Sequence, residues 1–274
     1  MKVVTLMENT TEAEGIHAAH GLSNYIETDK HKILFDMGPD YHFLLNAEKL
    51  GVDISKVDIA VLSHGHYDHG GGLMAFMAAN TEAPVFVREN AFGDYYSTLG
   101  GVHSIGLNTE LKEYTERLVW TEEECTIDDE LSLFSGVEDH MDALKASAKL
   151  KEKTESGEWI PDTFTHEQDL LVREGDKAVL FAGCAHMGIV NILEAAREKL
   201  GRLPDAVFGG FHFFQLDPED PASAELVDSV GRKLLEGDTV YYTGHCTGEF
   251  AYGRLKAILG ERLQPMTGGS VEIL

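Results

Sequence analysis

The sequence is short of cysteine, of positive charge and of long apolar runs. Its three cysteines, Cys125, Cys184 and Cys246, form an odd and scattered set. That excludes a disulfide scaffold and a paired-cysteine zinc finger, and makes a reducing cytoplasm the expected setting. Lys and Arg total 22 against 47 Asp and Glu, a formal net charge of −25. Such an excess of negative charge argues against nucleic acid or an anionic membrane as a principal partner. No apolar run reaches the roughly 18 residues of a membrane span. The N-terminus opens directly on a strand pattern, so no signal peptide is expected. Internal repeats and low-complexity linkers are missing too, which predicts a single domain over residues 1–274. A hydrophobic content of 43% is ordinary for a soluble chain with a real core.

Against these absences stands one dense cluster. His64, His66, Asp68 and His69 place four metal-capable side chains within six residues. The run before them, 57–62, is short, apolar and β-branched, and predicts a buried strand. The run after them, 72–79, is compatible with a helix. The cluster therefore sits on a loop at a strand end, where side chains can converge. Gly65 and the glycines at 70–72 let the backbone pass close to a metal or substrate. Imidazole and carboxylate are zinc ligands, and imidazole also suits iron. Since one ion takes three or four ligands, four here and others elsewhere predict two ions.

His64-x-His66-x-Asp68-His69 after an apolar strand resembles the signature of the metallo-β-lactamase-fold superfamily. The resemblance implies an α/β fold, an αββα sandwich of two packed mixed sheets, with the metal site at one edge. In that family the first two histidines usually hold one metal and the Asp-His pair holds the second.

Along the chain, 3–7 reads as a first strand, and 21–28 with 32–35 as a strand pair joined by the turn 29–31. His20 precedes that pair, as either a surface histidine or a site-lining one. Asp36 ends the pair; the resemblance implies that an aspartate here supports the metal loop through a ligand. Residues 41–50 have helical spacing and stop at Gly51, and 84–88 reads as another strand. The aromatic stretch 91–115, with Phe92, Tyr95, Tyr96 and His103, either lines a pocket or covers the core. After a strand at 131–137, residues 138–165 are charged and irregular, and predict a solvated insertion that could serve as a lid or contact.

The second half repeats one arrangement three times. The pair 169–173 and 178–182 runs into Gly183-Cys184-Ala185-His186, followed by a helix at 189–200. A strand from 206 runs into Gly209-Gly210-Phe211-His212, with a helix at 221–235. A strand from 239 runs into Gly244-His245-Cys246-Thr247-Gly248, with a helix to 259. Each strand delivers a histidine at its C-terminal end beside glycine, where open α/β sheets place ligand sites. With His20-Gly21-Leu22-Ser23, these motifs are similar to those of a subgroup commonly named 7,8-dihydropterin-6-yl-methyl-4-(β-D-ribofuranosyl)aminobenzene 5′-phosphate synthase, a name tied to methanopterin synthesis.

That resemblance implies His64, His66 and His186 on one ion, and Asp68, His69 and His245 on the other. Cys184 stands where the superfamily often has Asp or Cys, either as a thiolate ligand of the second ion or as a buried, inert cysteine. His166 competes with His186 for the first ion, and His186 is preferred because it sits at a strand end between glycines. His212 has no vacancy to fill and is assigned to substrate binding or proton transfer. The expected function is that of a metal-dependent hydrolase, or an enzyme of phosphoryl or ester transfer. It would act on a small anionic, possibly phosphorylated and pterin-related, substrate through two divalent ions, zinc first and iron or manganese next, with Asp68 and His212 as catalytic groups. A di-iron redox or oxygen-handling protein and a non-catalytic metal-bound binding protein are the alternatives.

Overall fold

The computed structural model describes residues 1–114, 116–141 and 143–274. Thr115, at the end of the aromatic stretch, and Asp142, within the charged segment, lie outside the described residues. Strands β1 (Lys2–Met7), β2 (Ser23–Glu27) and β3 (Lys32–Phe35) form an antiparallel meander. Helix α1 (His42–Lys49) returns the chain so that β4 (Ile59–Val61) lies parallel to β3. Helices α2 (Tyr67–Gly70) and α3 (Leu73–Ala79) then lead to β5 (Val85–Arg88), parallel to β4. The chain leaves this sheet through β6 (Asp94–Ser97) and β7 (His103–Ser104), and rejoins it at β8 (Leu118–Thr121) beside β5.

The second half mirrors the first. Antiparallel strands β9 (Glu124–Thr126) and β10 (Leu131–Phe134) are followed by β11 (Leu150–Lys153) and β12 (Trp159–Pro161), then by the hairpin β13 (Asp169–Glu174) and β14 (Lys177–Phe181). Three parallel strands extend β14: β15 (Ala206–Phe208), β16 (Val240–Thr243) and β17 (Leu263–Pro265). They are connected through α4 (Ile189–Leu200), α5 (Pro221–Leu234) and α6 (Glu249–Leu259). A last strand, β18 (Val271–Ile273), pairs with β1 at the edge of the first sheet.

Among the described residues the first sheet has the order β18-β1-β2-β3-β4-β5-β8 and the second β17-β16-β15-β14-β13-β10-β9. The layers follow from the period-2 alternation of strands that are apolar on both faces. On β3, Ile33 and Phe35 join Val179 and Phe181 of β14 in a core shared by both sheets, whereas Leu34 packs with Phe43 of α1. Leu180 turns the other way, to the cluster of Ile192, Val227 and Leu255 from α4, α5 and α6. The result is the αββα sandwich expected from the sequence. No helix among the described residues is long and apolar enough to cross a membrane.

Segment 138–165 differs from its expected irregular form. Its strands β11 and β12 pair with β6 and β7 in a third, four-stranded antiparallel sheet, order β12-β11-β6-β7. Tyr95, Ile105, Leu150 and Phe164 form a small apolar cluster there. Lys151, Glu152 and Lys153 are only half-buried, so these strands carry charge where a core strand carries Val or Ile. The aromatic stretch 91–115 does both things expected of it: Phe92 lies in the core, while Ser97, Leu99 and His103 line a cavity.

Candidate metal centre

The C-terminal ends of β4, β14, β15 and β16 bring their loops to one edge of the sandwich. Backbone strain concentrates there. Among the described residues, the non-glycine residues with positive φ are Asp36, Phe164, Ala185, His212 and His245, and all five are in or next to the cluster below. Such conformations cost of order 1–3 kcal/mol each and persist where surrounding contacts over-determine them. Close approach adds to this. A Cβ on Gly183 would sit 2.2 Å from Ser63 Oγ and 3.0 Å from His64 Nδ1, so only glycine lets β14 end against the metal loop.

Asp68, His69, Cys184 and His245 form one buried group whose ligand atoms lie within 4.8 Å of each other. His69 Nε2 is 3.1 Å from His245 Nε2 and 3.2 Å from Cys184 Sγ, and Asp68 Oδ2 is 3.3 Å from His245 Nε2. The opposite edges of both rings are committed. His69 Nδ1 donates to Asp36 Oδ2 at 2.6 Å, and His245 Nδ1 to Asn9 Oδ1 at 2.8 Å. In the neutral tautomers this leaves two Nε2 lone pairs facing one another, beside a carboxylate and a sulfur. A cation must lie between them, either a proton or an ion with those four donors. Ligand atoms of a tetrahedral zinc lie about 3.3 Å apart at bonds of about 2.0–2.1 Å, and the observed spacings suit that.

The electrostatics agree. Burial opposes ionisation of Asp68, yet His69 and His245 hold its carboxyl well below the usual range. Burial likewise opposes a charged His245, but its hydrogen bond to Asp68, with Cys246 and Glu8 near, raises it to about 9. Burial first, then Cys246, pushes the Cys184 thiol well up; a bound ion is what deprotonates such a thiol.

His64, His66 and His186 stand beside this group, their ring centroids 4.6 to 5.0 Å apart. The Nε2 atom of each is buried and without a hydrogen-bond partner. Orphaned imidazole nitrogens on three neighbouring buried rings call for something to bind them. Burial and the neighbouring histidines hold His64 and His186 well below the usual range, as neutral donors. Ser63 Oγ donates to Asp36 Oδ2 at 2.8 Å and accepts from His64 Nδ1 at 2.8 Å. Asp36 thus orients His69 directly and His64 through Ser63, close to the supporting role expected for it. Ser147 Oγ links His186 Nδ1 (3.2 Å) to His212 Nδ1 (2.9 Å). Ligand atoms within 4.8 Å of one another group His64 and His186 with Cys184, and His66 with Asp162 and His166 instead of with that pair. Cys184 belongs to both the first and second groups and lies between them.

His166 is placed differently from a ligand. Its Nδ1 accepts from Gly65 N at 3.0 Å, so its proton sits on Nε2, 3.3 Å from Asp162 Oδ2. Both ring nitrogens are used.

A cavity of about 220 Å³ opens onto the cluster. His20, Tyr67, His103, His212, Phe214 and Gln215 are in its wall, with Asp68, Cys184 and His186 at the bottom. His20 is therefore site-lining, its Nε2 3.3 Å from Asp68 Oδ2. Burial, then His66, pushes His212 down to about 3. Asn9, Ser63, Ser147, Asp162 and Glu167 were not foreseen from sequence. Asn9 follows the end of β1 as the site histidines follow theirs, and Ser63 adjoins the motif. Nothing local marks Ser147, Asp162 or Glu167.

Comparison with known proteins fits this geometry. The metallo-beta-lactamase superfamily pattern matches residues 19–93. The chain is 30% identical over 267 residues to a Methanocaldococcus jannaschii protein named 7,8-dihydropterin-6-methyl-4-(beta-D-ribofuranosyl)-aminobenzene-5'-phosphate synthase, covering 90% of this chain and 88% of that one. A solved metal-dependent hydrolase of the beta-lactamase superfamily aligns with a TM-score of 0.81 at 27% identity, over 100% of this chain and 99% of the other. Zinc-bound PqqB from Methylobacterium extorquens shares the fold alone, with a TM-score of 0.55 at 12% identity over both whole chains. With its motif, its two mixed sheets and a relative of this identity along most of its length, the chain belongs to the metallo-beta-lactamase superfamily.

Proposed function

We propose that the protein is a cytoplasmic metal-dependent hydrolase that holds two divalent ions, zinc by preference, and acts on a small anionic substrate. The observation that carries this reading is the convergence of five buried imidazole Nε2 atoms at one edge of the sandwich, three without a partner and two facing each other, with His66 and His186 open to one cavity. His64, His66 and His186 would hold the first ion, and Asp68, His69 and His245 the second. Cys184 lies between them, where the superfamily often has a carboxylate. When bound, two such ions supply charge neutralisation for a substrate oxygen and a nucleophile at neutral pH.

The chain's own residues set the frame for that chemistry. Asp36, Ser63, Asn9 and Ser147 fix the ring orientations, so little reorganisation remains when substrate arrives. Among the described residues the cavity wall has no Lys or Arg, and the chain carries a net charge of −25. An anionic group must therefore be met by the ions, with the His20 and His212 rings in the wall to bind its oxygens. Asp68 would hold the second ion and could also orient the attacking group. A second reading draws on the name of the M. jannaschii relative: synthase-type transfer on a phosphorylated, pterin-related substrate in the same site.

The test is a panel of phosphomonoesters, phosphodiesters, carboxylic esters, lactones and thioesters, given to protein reloaded with zinc, manganese or iron. Turnover of at least one class is expected, abolished by chelation and restored by metal. Metal-dependent consumption of a phosphorylated pterin-related compound, with the whole panel untouched, would favour the second reading. Oxygen consumption by the iron form alone would overturn both.

A further inference from the structure

The segment from Asp162 to Glu167 grips the first-ion histidines from the side. Phe164, at positive φ, stacks on His186 with centroids 4.2 Å apart and planes 5° from parallel. Glu167 accepts from the backbone N–H groups of His186 (2.7 Å) and Met187 (3.0 Å). His166, with Tyr95 against its ring at 4.0 Å, accepts from Gly65 N inside the metal loop. Asp162 is 4% exposed; its Oδ1 accepts from Phe164 N at 2.8 Å, and its Oδ2 lies 3.7 Å from the unpartnered Nε2 of His66.

We propose that Asp162 is an additional ligand of the first ion, beside His66, and that His166 is the positioning residue that holds it there. The tautomer decides between the two residues. Gly65 N–H occupies the lone pair of His166 Nδ1, so neutral His166 keeps its proton on Nε2 and donates it to Asp162 Oδ2. It has no lone pair left for a metal. Asp162 Oδ2 has one, because that oxygen takes a single hydrogen bond from His166 and a carboxylate oxygen accepts two. Its 3.7 Å separation from His66 Nε2 is close to the roughly 3.3 Å between two donors on one zinc ion. The orphaned His66 nitrogen, buried 3.7 Å from this carboxylate and without a hydrogen-bond partner, is the independent sign that something binds between them.

The inference rests on the two-ion reading above and is tested on metal affinity and on the visible spectrum of the cobalt(II) form, apart from activity. Asp162→Asn is expected to weaken the first ion by more than about a hundredfold, beyond the range typical of an outer partner of a ligand, and to change the cobalt d–d bands. His166→Gln is expected to cost at most about tenfold and leave the bands in place. Asp162→Ser, whose hydroxyl can still accept from Phe164 N, replaces the asparagine variant if that one does not fold. Unchanged first-ion affinity and bands in the Asp162 variant would overturn the inference. So would a His166→Gln protein that loses the ion as completely as the Asp162 variant. A wild-type protein that takes up no ion would overturn the two-ion reading along with it, whereas a loaded wild type beside an unaffected Asp162 variant overturns this inference alone.

Discussion

His186→Ala is expected to lose the first ion and metal-dependent activity together, while His166→Ala keeps the ion and at most part of the activity is lost. The two histidines compete for the same role by position in the sequence, and their hydrogen bonds separate them. His186 enters a glycine turn after β14. Ser147 meets its Nδ1 and Glu167 holds its backbone N–H, while its Nε2 is buried without a partner. His166 has both nitrogens engaged, by Gly65 and Asp162. Removal of a ligand should exceed the roughly 10–100-fold affinity loss typical of an outer partner. Metal analysis after dialysis against a weak chelator reads the difference directly. A zinc-depleted His166→Ala beside a loaded His186→Ala would reverse the assignment.

Asp36→Asn is expected to weaken both ions by about 10–100-fold with the fold retained. Asp36 Oδ1 accepts from Ser63 N, and Oδ2 accepts from both Ser63 Oγ and His69 Nδ1. An asparagine amide presents one acceptor and one donor. Whichever way it turns, its NH₂ group faces another donor. The conflict passes to His69 at the second ion and, through Ser63, to His64 at the first. Each buried donor left unpaired costs about 1–3 kcal/mol, so the melting temperature should fall as well. Asp36 has φ 61°, a conformation asparagine tolerates, so the substitution tests the hydrogen bonds rather than the backbone. Chelator competition on the variant gives the affinities. A loss confined to one ion would break the proposed link through Ser63.

The parts of the site that were legible in sequence are those written in local pattern. An apolar strand running into a histidine with glycine close by recurs at 64, 186, 212 and 245, and each of these histidines lies at the same edge of the sandwich. Helix α4 runs over 189–200 as expected, bracketed by Gly188 and Gly201, both at positive φ. The residues that orient the ligands were hidden because they act across the chain. Asn9 reaches His245 over 236 positions and Ser147 reaches His186 over 39, with nothing in the spacing to announce either. Strands β11 and β12 were hidden for another reason. Their charged side chains are only partly covered, so the hydrophobic alternation that marks a strand is missing. That concealed Asp162 and Glu167, which lie just beyond β12 and take their meaning from the histidines they meet.

If these side chains form one centre for two ions, the protein should carry both when isolated. The most direct measurement is the metal content of the full chain, purified without chelator, by elemental analysis, and again after titration with zinc, manganese or iron. Close to two ions per chain are expected. A single ion per chain, unchanged by added metal, would contradict a two-ion centre.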